Sequence, residues 1–199
     1  ACSIDQDLLR GTARRYELAV FGTANRHICN MDFEHILKTH IRRGSDITAV
    51  YVRNPYGKKS IPLGMPVLHM NEEERIIDLH INGDDLTPSD APWGTGVYVI
   101  RKSLLESLVA DAMVGGRYDF LQHIVQRLAP VLNITGYEYK GHLMEISTIS
   151  GYMQANMAFL DPDVRARVFA EPVYTKIKDS VPVVYSPGCR VRNSIVSDG

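Results

Sequence analysis

The stretch VFGTANRHICNMDFEHILKTH, residues 20–40, gathers His27, Cys29, Asp32, His35 and His40 around a glycine turn. Three chemistries suit such a mixture: a metal centre, a thiolate nucleophile, or a capped helix whose polar residues serve the fold. His35 and His40 are five positions apart, which on a helix turns the second about 140° away from the first, whereas paired ligands on one face are four apart. Cys29 as a nucleophile needs a base and an oxyanion-binding turn, and the neighbouring residue types identify neither. A buried structural thiol is the simpler reading. Asp32 directly precedes a helical pattern, where a carboxylate accepts an otherwise unpaired backbone N–H. The capped-helix reading leaves one feature over. Asn25, Arg26 and His27 follow an apolar strand at its carboxyl end, where α/β sheets place their ligand sites.

The elements around this stretch alternate. YELAVF (16–21) is a short apolar run ending at Gly22 and reads as a buried strand. After Asp32, Phe33, Ile36, Leu37 and Ile41 keep helical spacing up to Gly44. DITAVYVR (46–53) is rich in β-branched residues and predicts a strand. GMPVLHM and ERIIDLHI, on either side of the polar turn at Asn71–Glu73, predict a hairpin. TGVYVIR (95–101) is a further strand, and Ser103 with Glu106 makes a capping box before LLESLVADAMV, which Gly115 and Gly116 end. Asp119 caps FLQHIVQRLA, NITGYEYKG has strand character, and ISTISGYMQANMAFL is a helix that stops at Asp161-Pro162. Strands interleaved with helices and hairpins predict an α/β layered domain with a mixed sheet over residues 1–160. From 161 to 186 the proline-rich texture predicts an extended linker. GCRVRNSIVSDG, within 187–199, spaces Val191, Ile195 and Val196 like one rung of a parallel β-helix. A single rung leaves those residues exposed.

Composition narrows the function classes. With 22 Lys+Arg against 23 Asp+Glu, no net field favours nucleic acid or an anionic membrane. Three widely spaced cysteines, Cys2, Cys29 and Cys189, build neither a disulfide framework nor a zinc knuckle, which points to a reducing cytoplasm. No uncharged apolar run approaches the ~18 residues that span a bilayer.

The run YELAVFGTANRHICNMDFEHILKTHIRRGSDITAVYV resembles the glucose-1-phosphate adenylyltransferase family, whose members carry Gly-Asp-His-Ile-Tyr-Lys-Met-Asp-Tyr between a strand and a helix. His27, Ile28, Met31 and Asp32 match, and Phe33 is a close substitute. LGMPVLHMNEEERIID, TGVYVIRKSLLESL, YDFLQHIVQRL, ISTISGYMQANMAFL and PVYTKIKDSVPVVYSPGCRVRNSIVSDG continue the similarity in order. HICNMDFEHIL and the final segment look most like the regulatory D-type subunit of the bacterial glycogen pathway. The resemblance implies a nucleotidyltransferase domain (Rossmann-like, GT-A-like) leading through a linker into a left-handed β-helix. It also implies a cytoplasmic role in glycogen synthesis. Members open with a Gly-rich loop that cradles nucleotide phosphates, followed by a catalytic Arg and Lys. No such loop precedes residue 20, so the chain is expected to be an internal piece of a longer subunit.

Carried over residue by residue, the family's site is altered. The metal-binding Asp before His-Ile falls at Arg26, and the second, from a Trp-Arg-Asp-Val-Gly-Thr motif, falls at Glu145 in HLMEIST. The family's active members use Mg²⁺ to neutralise charge on the transferring phosphates, and a guanidinium at a ligand position repels that ion. The sugar-phosphate Lys falls at Asn82, with Ile81 in the place of the Glu before it, and a sugar-contacting Ser falls at Gly94. Gly64 in PLGMP is the sugar-site position that survives. NGDD (82–85) reads as a solvated turn. The resemblance therefore implies no catalytic residue, metal ligand or cofactor in this chain. It implies a regulatory subunit that partners a catalytic adenylyltransferase, and self-associates or binds a sugar phosphate or effector. No nucleic-acid or membrane partner is implied. The alternative is a working enzyme that makes ADP-glucose and diphosphate from ATP and glucose 1-phosphate.

Overall fold

The computed structural model describes residues 18–22, 27–53, 65–81, 90–170, 181–192, 194 and 196. Two compact units form. One draws on Ala1–Asn25 and Asp32–Lys140, the other on Arg26–Met31 and Gly141–Gly199.

The first unit is built on a six-stranded mixed sheet: β1 (Leu18–Gly22), β3 (Ile47–Arg53), β4 (Pro66–Met70), β5 (Ile76–Ile81), β6 (Pro92–Arg101) and β7 (Ile134–Glu138). The order is β5-β4-β6-β3-β7, with β1 also paired to β6 through Leu18↔Arg101 to Gly22↔Val97. β3 and β7 run parallel; the other pairs are antiparallel. The α/β class with a mixed sheet is therefore present as the alternating pattern predicts. Helix α1 (Phe33–Arg43) starts where Asp32 Oδ1 accepts the N–H of His35 at 3.0 Å. It ends where Gly44 takes the left-handed conformation at φ 58°. The β4–β5 hairpin turns on Asn71, whose side-chain oxygen accepts N–H groups from Glu73 and Arg75. A core of Tyr51, Leu68, Leu79, Tyr98, Ile100 and Ile134 from the sheet packs with Leu105 and Val109 of α2 (Lys102–Val114). Phe120 and Ile124 join it, the latter from a π-helix, Leu121–Gln126.

Two local expectations are corrected. Ser103 and Glu106 form no capping box: β6 passes directly into α2, Arg101 occupies the cap position, and Ser103 lies inside the helix, its carbonyl accepting from the Ser107 hydroxyl. The strand expected at 95–101 begins earlier, at Pro92, and accommodates the extra length with a bulge. Its register against β3 shifts between Ala49 and Tyr51, Gly96 takes φ 78°, and the Thr95 hydroxyl donates to the Val50 carbonyl at 2.9 Å.

The second unit holds a two-stranded ribbon, β2 (His27–Cys29) with β8 (Leu143–Glu145), and two helices, α3 (Ile149–Ala158) and α4 (Pro162–Val168). Thr148 caps α3 by accepting the Gly151 N–H at 2.9 Å. The expected linker from 161 opens instead with α4. Asp161 caps it, accepting the Asp163 N–H at 2.9 Å, and Pro162 supplies the pre-set first helical φ. Among the described residues from 181 to 192 no strand forms, and a turn sits at Pro187 and Gly188. Val191 and Val196 are exposed, and Ile195 lies outside the described residues. Among the described residues, no helix is long and apolar enough to cross a membrane.

Candidate functional site

The ribbon brings together the two motifs that sequence spacing separates. In its antiparallel register His27 faces Glu145, Ile28 faces Met144 and Cys29 faces Leu143. Glu145, where the resemblance sets one of the family's metal carboxylates, thus lies at one end of the ribbon opposite His27, and Arg26, where it sets the other, precedes His27 in sequence. Arg26 itself lies outside the described residues, as do Asn25, Gly64 and Asn82, and with them the NGDD turn.

Packing of the second unit fixes that end. Met31 and Leu143 are buried, and the Asn30 amide donates to the Val168 carbonyl at 3.0 Å, tying the exit of β2 to the end of α4. On the other side, Gly151 lets the first turn of α3 close on β8. A Cβ there would lie 3.2 Å from both the Glu145 carbonyl oxygen and the Thr148 hydroxyl. Both ring nitrogens of His27 and one carboxylate oxygen of Glu145 are shielded from solvent, and both residues make interactions within the protein. A carboxylate facing an imidazole can hold a proton or an ion pair.

The residues do not fit the family's Mg²⁺. That ion prefers carboxylate and water oxygens in octahedral geometry. Here one end of the ribbon offers the Glu145 carboxylate, an imidazole, and an arginine next in sequence. Among the described residues no three His, Cys, Asp or Glu side chains are gathered as a metal site requires.

The other residues of the opening stretch separate. His40 is buried in α1 with Nδ1 2.8 Å from the Thr48 hydroxyl, within a network that runs on through Thr135 to Ser45. Burial holds its pKa below the usual imidazole value, the Arg101 charge adds to this, and Asp46 opposes it. His35 is exposed and bonds the Tyr137 hydroxyl at 2.7 Å. Burial pushes the Cys29 thiol up, away from the thiolate that nucleophilic attack needs. The five residues thus serve three environments rather than one centre.

Gly94, where the family's sugar-contacting Ser falls, lies inside β6 rather than before it. A Cβ there would meet Pro66 Cγ at 3.0 Å and Leu68 Cδ2 at 3.4 Å. A serine would press into β4, so glycine at 94 follows from close strand packing. Sequence reasoning missed the pairing of β2 with β8, because three-residue strands carry too little alternation to register as elements.

No protein-family model matches the chain. It is 26% identical over 179 residues to the glycogen biosynthesis protein GlgD of Bacillus subtilis, covering 88% of this chain and 41% of that relative. It is 27% identical to the glucose-1-phosphate adenylyltransferase of Halalkalibacterium halodurans, covering 87% and 45%. To that of Agrobacterium fabrum it is 26% identical over 204 residues, covering 90% and 46%. The chain spans less than half the length of these curated relatives. The resemblance to this family, GlgD included, therefore holds over nearly the whole chain.

Proposed function

From this kinship with GlgD and the glucose-1-phosphate adenylyltransferases, we propose that the chain comes from a non-catalytic, regulatory subunit of glycogen biosynthesis in the cytoplasm. In this reading it assembles with a catalytic homologue and tunes that partner's response to effectors. The residues from 187 onward lead into a left-handed β-helix, and Gly64 is a remnant of the sugar site. The observation that carries the reading is the ribbon pairing that sets His27 opposite Glu145; by the resemblance, Glu145 and Arg26, the residue before His27 in sequence, take the places of two metal-binding aspartates. Phosphoryl-group chemistry rests on neutralising phosphate charge, and a guanidinium at a ligand position excludes the ion that does so. The loss of a Lys at Asn82 removes a point charge for the sugar phosphate as well.

The test is to mix a subunit extended to the length of its relatives with a catalytic glucose-1-phosphate adenylyltransferase and assay ADP-glucose formation across effector concentrations. The regulatory reading predicts a complex by gel filtration and a shifted effector response. Two separate elution peaks with an unchanged response contradict it.

A further inference from the structure

Helix α3 reverses the usual arrangement of a surface helix. Its inward side is made of small residues, with Ala155 buried and Gly151 and Ala158 half-buried, while Ile149, Tyr152, Met153 and Met157 are all exposed, Ile149 by 90%. These four fall at i, i+3, i+4 and i+8 and form one ridge along the helix. Gly151 already sits tight under β8, so the inward side has no room for larger side chains. Asn156 shares the ridge but folds back on its own helix, its amide donating to the Tyr152 carbonyl at 2.8 Å. No residue from 146 to 160 is charged. Phe169 is exposed as well, with its ring 5.9 Å from that of Phe159, and carries the apolar surface from the end of α3 to the end of α4.

The chemistry of this face selects among occupants. A small molecule needs a concave site, and a helix ridge is convex. An anionic membrane or a nucleic acid needs Lys or Arg alongside, which α3 lacks. An apolar protein surface fits, and Tyr and Met are among the residue types enriched in protein interfaces. An uncharged ridge is also complementary to itself, because two copies of one helix interlock ridge into groove and need no opposite charge at the centre. The rim agrees. Asp163 and Arg167 are exposed and four apart on α4, and a two-fold axis between antiparallel helices lets each Asp163 meet the Arg167 of the other copy.

We propose that the outer face of α3 is the docking surface for a second copy of this chain, with the two α3 helices antiparallel about a two-fold axis and Asp163 and Arg167 exchanging charge at the rim. Met153 is the middle of the ridge from Ile149 to Met157, so the axis passes beside it and it meets its own counterpart. The inference stands apart from the regulatory reading, since it involves neither the ribbon residues nor catalysis.

Sedimentation equilibrium of the chain tests it, with circular dichroism to verify folding of each variant. The parent is expected to dimerise. Tyr152→Lys and Met153→Lys, both at exposed positions, should each raise the dimer Kd about 10-fold or more, whereas Val114→Lys, exposed in the other unit, should leave it unchanged. Asp163→Arg should weaken the dimer, and adding Arg167→Asp should restore it. In a cysteine-free background Met153→Cys should cross-link two copies on oxidation, and Val114→Cys should not. A monomeric parent, a dimer indifferent to both ridge variants, or no cross-link at Met153→Cys would each overturn the proposal. Loss of that cross-link in a subunit extended to the length of its relatives would show the face covered within one chain, and ridge variants that release anionic vesicles or a catalytic adenylyltransferase from a monomeric parent would give it to another occupant; either result overturns the proposal too.

Discussion

Strand β3 buries six consecutive residues, Ile47 to Val52, between its neighbours in the sheet, whereas in the ribbon of β2 and β8 only Leu143 is buried. The sheet is held by continuous apolar contact and the ribbon by a few backbone pairs with helical supports behind them. Substitution in the sheet therefore threatens the fold. Substitution in the ribbon is expected to come at modest structural cost. A fold can be kept while the site it carries changes.

The sharpest way to break this contrast is to make the same truncation in both regions. Ile134→Ala, fully buried in β7, should cost about 2–5 kcal/mol by urea denaturation. Ile28→Ala, half-buried in β2, should cost about 1 kcal/mol. Equal losses would mean that the ribbon is as tightly packed as the sheet. Gly136→Ala refines the point, because its Cβ would meet Met70 Sδ at 2.5 Å and Tyr51 Cε1 at 2.8 Å. Overpacking there should cost about 1–3 kcal/mol although no contact is removed.

A smaller effect comes from pH. His40 has a folded-state pKa below its unfolded value, so the unfolded chain takes up the proton first as pH falls through about 6.5. Its stabilising contribution is complete above that value. It declines below it until the folded imidazole also titrates. Urea midpoints at about pH 7.5 and about pH 5.5 should differ more for the parent than for His40→Gln. Identical differences would show that His40 does not carry the effect.

The same division governs what the sequence reveals. Asp32 and Gly44 mark α1 because a short carboxylate and a left-handed glycine satisfy the ends of any helix, whatever packs on it. The β4–β5 hairpin is legible for a similar reason, since Asn71 shapes its turn locally. Ser103 misleads because β6 runs into α2 without a break, so tertiary continuity overrides a sound capping pattern. Asp161-Pro162 is a stop for one helix and the start of the next, and the start depends on how Asp161 turns its side chain. The juxtaposition of His27 with Glu145 is a long-range pairing of two three-residue strands, which no local pattern encodes.

The central claim of the proposed function is that Arg26 and Asn82, standing where the resemblance sets catalytic-site residues, would leave a nucleotidyltransferase site inactive. It is tested by ADP-glucose formation from ATP and glucose 1-phosphate with Mg²⁺, in a subunit extended to the length of its relatives. The unmodified subunit should show no turnover, and Asn82→Lys alone should improve sugar-phosphate affinity without turnover, because a ground-state contact does not replace a metal ligand. Arg26→Asp combined with Asn82→Lys should recover measurable activity. Turnover by the unmodified subunit on the order of 1–10³ s⁻¹, typical of enzymes, would contradict the claim and establish the working adenylyltransferase instead.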